Sequence, residues 1–489
     1  MNQYTVTFLP DNLKITVQEG TTLLQAQIEA GLAPDAPCGG KGTCGKCKAI
    51  ADGQEILSCQ TRIHRDMTVH IPTTQTLHIL EKGLSVHTNP DKKDPYVLAF
   101  DIGTTTVVSY LLDGCTNTLL AQASTMNPQT AYGADVISRI QYAMKDASSL
   151  QNAILSALAQ LILDVTSQAH ITPADIGIIA VAGNTAMHHL TLGIDTGSLA
   201  VLPYMPKVFD ALEIPASELL PACTNATLRI LPNIAGFVGG DTVGCMLAVR
   251  FNQLEDITLM IDIGTNGEMV LGNKERQIAC STAAGPAFEG AKISCGMRGT
   301  SGAIDHVWLE DTSIHHHVIG DTDAIGLCGS GLLDLTAVLL KLGIIDESGH
   351  MNENEYTIPG TQVTLTQKDV REVQLAKAAI RAGIELLAST LNISVTDIKK
   401  VLLAGAFGNY LSPASACRIG MIPPCLLDRI VPIGNAAGEG ARLCALSRDE
   451  FTYSQALASG TEFLELATLP QFQDCYVDAL MFEEEENED

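Results

Sequence analysis

Four cysteines, Cys38, Cys44, Cys47 and Cys59, stand in the run C-G-G-K-G-T-C-G-K-C and the L-S-C that follows it. Thiolates spaced C-x5-C-x2-C-x11-C can converge on one point only if the backbone folds tightly. Gly39, Gly40, Gly42 and Gly45 permit that wrapping. The chemistry such a set offers is ligation of a [2Fe-2S] cluster, whose potential would be tuned by backbone amides aimed at the sulfurs. A zinc site is the competing reading. Zinc usually takes two separated C-x2-C pairs, and this stretch has one.

A second kind of chemistry sits further along. Y-V-L-A-F-D-I-G-T-T-T-V from Tyr96 and I-T-L-M-I-D-I-G-T-N-G-E from Ile257 nearly repeat each other about 160 residues apart, which predicts a duplicated fold. Each apolar run reads as a buried strand entering a tight glycine turn whose amides and hydroxyls can hold phosphate oxygens. Asp101 and Asp262 stand at the strand ends, where a carboxylate can hold hydrated Mg²⁺ against a nucleotide's phosphates. One such turn is a weak signal because Asp-x-Gly turns are common; two at matching strand ends are strong. V-L-L-A-G-A-F-G-N-Y from Val401 is a third strand entering a glycine turn, where an adenosine could lie flat. Asp241, after Gly239-Gly240, and Glu268, after the second turn, are candidates for orienting an attacking water. The bland alternative makes Asp241 a helix N-cap and Glu268 a solvated strand residue.

The elements that must position these groups are legible in outline. V-T-F-L-P-D-N-L-K-I-T-V predicts two strands about a Pro10-Asp11-Asn12 turn, and Gly20-Thr21-Thr22 opens a helix that Gly31 closes. K-A-I-A-D-G and M-T-V-H-I-P supply further strands of a β-grasp sheet. The expected division is a ferredoxin-like domain over 1–75, a linker over 76–94, lobes over 95–255 and 256–450, and a C-terminal segment over 451–489 ending in a solvated acidic tail, F-E-E-E-E-N-E-D. His315-His316-His317 read as a solvated loop, since neighbours on a strand would face opposite ways and could not share one ion. His188-His189 read as satisfied packing histidines.

Composition narrows the class. With 489 residues, 46% of them hydrophobic, the chain needs two or three domains. Its net charge of -26 repels phosphate backbones and anionic membranes, so neither nucleic acid nor membrane is an expected partner. No leader pattern and no apolar run of about eighteen residues is present, and the cysteines outside the motif lack paired spacing. These features predict a cytoplasmic protein with free core thiols.

The N-terminal motif resembles adrenodoxin-like ferredoxins, with a first gap one residue longer than the plant type. The three glycine turns resemble, in order, the phosphate-1, phosphate-2 and adenosine motifs of the superfamily of sugar and acetate kinases, heat-shock ATPases and actin. That resemblance implies phosphate 1 at Asp101, Gly103, Thr104 and Thr105, phosphate 2 at Asp262, Gly264, Thr265 and Asn266, and adenosine at Gly405 and Gly408, although the superfamily often has two adjacent glycines there. It also implies ribose contacts from Glu289 and Lys292. G-F-V-G-G-D-T-V-G-C-M-L-A from Gly236 and G-N-A-A-G-E-G-A-R-L-C-A-L from Gly434 resemble its two interdomain helices, whose small residues let backbones cross closely during closure. The expected fold is therefore α/β and multidomain: a β-grasp ferredoxin domain, then a duplicated two-lobed actin-like (ribonuclease H-like) ATPase.

With G-L-C-G-S-G-L-L-D at Gly326 and E-G-A-K-I-S-C-G-M-R-G at Glu289, the whole chain resembles the ATP-dependent reductive activators of corrinoid proteins. The resemblance implies ATP, Mg²⁺ and a [2Fe-2S] cluster, a corrinoid-protein partner of a methyltransferase system, a low-potential electron donor and a homodimer. It implies one-electron reduction of cobalt(II) to cobalt(I), an uphill step in which a gap of about 200 mV costs roughly 4.6 kcal/mol. Longer members carry an added middle region, in whose place a linker of about twenty residues is expected here. Other readings are an ATP-driven electron donor to a different low-potential enzyme, a small-molecule kinase with a regulatory ferredoxin, and an actin-type assembly module.

Overall fold

The computed structural model describes residues 2–10, 12–32, 34, 36, 40, 42, 45–71, 86 and 88–483. The N-terminal part is a five-stranded sheet of β1 (Gln3–Leu9), β2 (Leu13–Gln18), β3 (Lys48–Ala51), β4 (Gln54–Leu57) and β5 (Met67–His70), in the order β2-β1-β5-β3-β4. β1 and β5 run parallel, which is what the excursion through α1 (Leu23–Glu29) permits. Thr22 caps α1 by accepting from the Gln25 amide at 3.2 Å, and Gly31 beyond its end adopts φ +81°. Alternate residues of β1 and β5 face α1, burying Val6, Phe8 and Val69 against Leu23, Ala26 and Ile63. The β3–β4 hairpin, absent from the sequence reading, turns at Asp52-Gly53 with both φ values positive, as a tight two-residue hairpin turn requires.

The chain divides into two compact units, residues 1–75 with 90–230 and residues 76–89 with 231–489. In the first, β6 (Tyr96–Ile102), β7 (Thr106–Asp113), β8 (Leu119–Met126), β9 (Ile176–Gly183), β10 (Leu212–Pro215) and β11 (Thr227–Ile230) form a sheet ordered β10-β11-β9-β6-β7-β8. The first three strands are antiparallel neighbours, and β9 returns parallel to β6 after the long helix α2 (Val136–Gln168). Helix α3 (Thr185–Leu192) follows β9. Central β6 is apolar along nearly its whole length because both of its faces are covered.

The second unit repeats this plan. Helix α4 (Gly240–Ala248) precedes β12 (Thr258–Ile263), β13 (Gly267–Gly272) and β14 (Gln277–Thr282). A hairpin of β15 (Ala303–Glu310) and β16 (Ser313–Val318) and helices α5 (Gly329–Lys341) and α6 (Gln367–Leu391) come next. They are followed by β17 (Lys400–Ala404), α7 (Gly405–Tyr410), β18 (Ile430–Gly434), α8 (Ala436–Leu446), α9 (Arg448–Gly460) and β19 (Glu462–Phe463). The main sheet runs β18-β17-β12-β13-β14-β19, with β12–β14 antiparallel and β17 and β18 parallel to β12. Five strands follow the order and directions of the first unit, while the sixth is added at opposite edges, β10 antiparallel beside β11 and β19 parallel beside β14, so the repeated D-I-G-T marks a repeated core fold.

Helices α4 and α8 cross with backbones in contact. A Cβ on Gly440 would lie 2.3 Å from Gly244 Cα, so both helices need glycine there. The small-residue segments of the sequence thus meet as expected. Two linker residues are also held by this unit: the Val86 amide donates to Glu439 of α8 at 3.3 Å, and the Thr88 hydroxyl to Glu450 of α9 at 3.0 Å.

Two local expectations are corrected. His315–His317 lie on strand β16 and not in a loop, though neighbours do alternate: His315, stacked on Trp308, and His317, bonded to Asp305 at 2.6 Å, share the more exposed face, and the less exposed His316 takes the other. The acidic tail is not solvated from its start, because Phe482 is buried in the core and Glu483 pairs with Arg381 at 2.7 Å.

Candidate functional site

The most heavily charged group of candidates is in the second unit. β12 and β13 form a hairpin in which Asp262 is directly opposite Glu268, with the Gly264 amide closing the turn onto Asn266 O at 2.9 Å. Asp241 is added from the first turn of α4. It is not an N-cap, since Gly239 holds that position; its Oδ1 accepts from the Thr242 amide at 2.7 Å. Nor is Glu268 a solvated strand residue. Burial, then Asp241, then Asp262 push its carboxyl well above the usual range, while burial pushes Asp241 up to about 6. Three carboxyl groups so placed repel one another unless a proton or a cation intervenes. No three described His, Cys, Asp or Glu side chains are grouped closely enough to ligate one ion directly, so a cation drawn by these carboxyls would be one that binds through few protein oxygens and keeps its waters, as Mg²⁺ does.

Neighbours fix this group in place. Gly405, at φ +82°, has no Cβ because one would lie 2.5 Å from Asp262 Oδ1. Thus the glycine turn assigned to adenosine abuts the phosphate-2 carboxylate. The Thr265 hydroxyl donates to Glu289 Oε1 at 2.6 Å, so Glu289 lies at the phosphate-2 turn, whereas Lys292 is exposed and pairs with Glu372 of α6 at 3.4 Å. Ser281 and Cys245 escaped the sequence reading. Ser281 Oγ donates to Glu268 at 3.3 Å from the facing position on β14, and Cys245 Sγ lies 4.0 Å from Asp262 Oδ2. The only sequence signal for Ser281 is hairpin register.

The first unit's turn is built differently. The Gly103 amide donates to Thr106 O at 2.9 Å, and Gly103 O accepts from the Asn127 side chain at 2.8 Å. Thr104 Oγ1 accepts from the Asn184 side chain at 3.1 Å, while Thr104 O accepts from the guanidinium of Arg139, a fully buried residue that also donates to Gly133 O. Asn127, Asn184 and Arg139 were not anticipated. Of the two histidines beside Asn184, His189 is satisfied, accepting from the Lys207 amide at 3.0 Å and bonding Thr185 O at 2.8 Å. His188 is less so: its Nε2 is buried without a partner, and burial followed by its neighbour lowers its pKa to about 3.

In the N-terminal sheet, Cys47 is buried and the Cys59 amide donates to Cys47 Sγ at 3.5 Å. Gly40, Gly42 and Gly45 all take left-handed φ values. An amide aimed at a thiol and a loop of left-handed glycines suit a cluster's sulfurs. Cys38 and Cys44 lie outside the described residues, among which no three His, Cys, Asp or Glu are grouped to hold a metal ion.

Residues 6–64 match the model of a 2Fe-2S iron-sulfur cluster binding domain, 96–254 the RACo middle region, and 256–489 the C-terminal ASKHA domain of RACo. The chain is 38% identical over 443 residues to the corrinoid activation enzyme RamQ of Eubacterium limosum, covering 83% of this chain and 74% of the relative. It belongs to the RACo-type family of corrinoid activators. A second relative in that comparison is the [Co(II) methylated amine-specific corrinoid protein] reductase of Methanosarcina barkeri, 28% identical over 79% of this chain and 77% of the relative. A solved reductive activator for corrinoid, iron-sulfur protein superposes with a TM-score of 0.74 at 29% identity, covering 98% of each chain. Family membership establishes the [2Fe-2S] domain followed by an actin-like ATPase fold. It also overturns the expectation that a middle region is missing: residues 96–254, read as the first ATPase lobe, are what the family's middle-region model matches. The duplicated sheet order explains why that region reads as a lobe.

Proposed function

We propose that this chain is an ATP-hydrolysing activator that returns the inactive cobalt(II) form of a corrinoid protein to cobalt(I), in support of corrinoid-dependent methyl transfer. The observation that carries the reading is the union, on one polypeptide of this family, of a ferredoxin-type cysteine loop and the Asp241–Asp262–Glu268 group at a nucleotide-binding turn. Cys38, Cys44, Cys47 and Cys59 would hold the cluster, which when bound supplies a one-electron carrier. Asp262 in the second unit, and Asp101 at the matching strand end of the first, are the carboxylates that would each be able to hold hydrated Mg²⁺, which supplies charge neutralisation at the phosphates. Gly103 and Gly264 shape the turns with their amides tied to Thr106 O and Asn266 O, and hydroxyls or amides of Thr104, Thr105, Thr265 and Asn266 bind phosphate oxygens. Glu268, steadied by Ser281 and raised in proton affinity by burial and then by its acidic neighbours, accepts a proton from the attacking water, and Asp241 orients that water. Glu289 and Lys292 serve the ribose, and Gly405 and Gly408 the adenosine.

ATP acts by differential affinity. A nucleotide that binds one conformation better selects it, and the favoured conformation is the one that engages the corrinoid partner. The domain division follows the sequence reading, with the ferredoxin domain at 1–75, a linker at 76–94, lobes at 95–255 and 256–450 and a C-terminal segment at 451–489. We place the chain in the cytoplasm as a homodimer fed by a low-potential donor. Among the described residues no helix is long and apolar enough to cross a membrane.

The test is optical. Anaerobically reduced protein is mixed with a cobalt(II) corrinoid protein and the cobalt(I) absorption is followed with and without ATP. Growth of that band only with ATP is expected; equal growth without ATP would refute the reading.

A further inference from the structure

Segments distant in sequence meet at two aromatic rings in the second unit. Phe407 lies on α7, inside the glycine turn assigned to adenosine, and Phe288 lies in the short turn Pro286–Glu289. Their ring centroids are 5.1 Å apart with planes inclined by 11°, a parallel stack. Gly329, at the start of α5, closes on both segments: a Cβ there would sit 2.0 Å from Phe288 O and 2.7 Å from Phe407 Cε2. Phe288 is buried, with 3% of its surface exposed, whereas Phe407 is only half-buried. The inner ring is therefore fixed, and the outer ring has one face taken and some of its surface open.

This ring is registered to the phosphate-2 turn from both sides. Phe407 is two residues from Gly405, whose missing side chain makes room for Asp262. Phe288 directly precedes Glu289, which accepts the Thr265 hydroxyl. We infer that Phe407, backed by Phe288, is the platform on which the nucleobase stacks, making it a specificity-determining residue for nucleotide over bare polyphosphate. Every base has a π-face, so a stacked ring holds one without a pattern of hydrogen bonds. Such a platform also gives the Gly405-Ala406-Phe407-Gly408 turn a physical role that two adjacent glycines would not fill. The inference rests on reading Gly405–Gly408 as the adenosine turn, but it does not need the corrinoid reaction: binding of nucleotide without ATP-dependent cobalt reduction would sink the proposed function and leave this inference standing.

Calorimetry on the full-length, cluster-loaded protein tests it with two probes, the magnesium complex of a non-hydrolysable ATP analogue and magnesium tripolyphosphate. Phe407→Ala should weaken the analogue roughly tenfold to a hundredfold, the range for loss of one base–aromatic stack, and leave tripolyphosphate unchanged. Phe407→Trp should restore affinity, and its fluorescence should be quenched by the analogue but not by tripolyphosphate. Equal loss of both ligands in Phe407→Ala, or no loss of either, overturns the inference. So does an unquenched Phe407→Trp protein that binds the analogue, a result readable even if the alanine variant fails to fold.

Discussion

The two D-I-G-T turns follow matching strands and share the aspartate and the glycine, yet the groups that reach them from elsewhere differ in charge. The turn after β6 is held by neutral amides and one buried guanidinium: Asn127 on Gly103 O, Asn184 on Thr104 Oγ1 and Arg139 on Thr104 O. The turn after β12 is crowded by carboxyl groups, Asp262 facing Glu268 with Asp241 beside them. The repeated scaffold thus carries two differently surrounded turns. On the proposed reading, the first turn is a phosphate cradle preorganised by its amide and guanidinium donors, and the second is electrostatically incomplete until a cation arrives.

The sharpest way to break that contrast is at the second turn. Asp262→Ala should abolish ATP-dependent cobalt reduction, by about three orders of magnitude or more if it removes a cation's ligand, while the visible spectrum of the cluster is unchanged. A variant that retained ATP-dependent rates would show that the acidic turn is structural only. Glu268→Gln should be nearly as damaging to turnover, about a hundredfold to a thousandfold in kcat, if Glu268 takes the water's proton. Its ATP affinity should hold or improve, because one repelling charge is gone. A rise in KM with unchanged kcat would move Glu268 from chemistry to binding.

The first turn should answer differently. Arg139→Met keeps much of the buried volume but leaves the carbonyls of Thr104 and Gly133 without their cationic donor, at a cost of about 1–3 kcal/mol to the fold. The consequence should be a lower Tm and a KM for ATP raised by roughly tenfold, with kcat little changed. If kcat fell and KM did not, the cradle would be taking part in the chemical step and the division of labour would fail.

What was legible in the chain follows the range of the forces involved. Each D-I-G-T turn, the α1 cap and the cysteine loop are local: their conformation is dictated by a few consecutive residues, and those readings could be made from composition and spacing. Asp241 and Glu268 were visible as residues, but their mutual repulsion was not, because α4 and β13 come together only through the sheet and the Gly244–Gly440 crossing. Asn127, Asn184, Arg139 and Ser281 were invisible for the same reason. They reach the turns from other strands and helices, and an Asn or Arg in isolation has too many possible partners to name one. The Asp52-Gly53 hairpin is a different miss, since its two-residue signal was present and was passed over for the strands on either side. Phe482 was hidden by its acidic neighbours, whose charge set the reading of the whole tail although a single aromatic ring decides where the chain docks.

The smallest effect sharpens the comparison most directly, because it measures charge without turnover. Burial pushes Asp241 up to about 6, and burial with the two aspartates pushes Glu268 well above the carboxylate range. A carboxyl whose pKa is raised on folding binds its proton more tightly folded than unfolded. That preference is complete below the unfolded value of about 4 and is lost as pH rises through the folded value. Without divalent cations, the thermal transition of the second unit should therefore fall as pH goes from about 4.5 to 7, and Mg²⁺ should recover it at pH 7 but matter little at pH 5. The amides and guanidinium of the first turn do not titrate in that window and belong to the other unit, so Arg139→Met should leave the slope of this transition unchanged. Glu268→Gln should flatten the slope and blunt the Mg²⁺ response. Scanning calorimetry of the two variants at both pH values decides it: a slope that survives in Glu268→Gln, or a Mg²⁺ effect equal at pH 5 and pH 7, would mean that the three carboxyl groups do not share a cation-seeking field and that the two turns differ in sequence more than in physics.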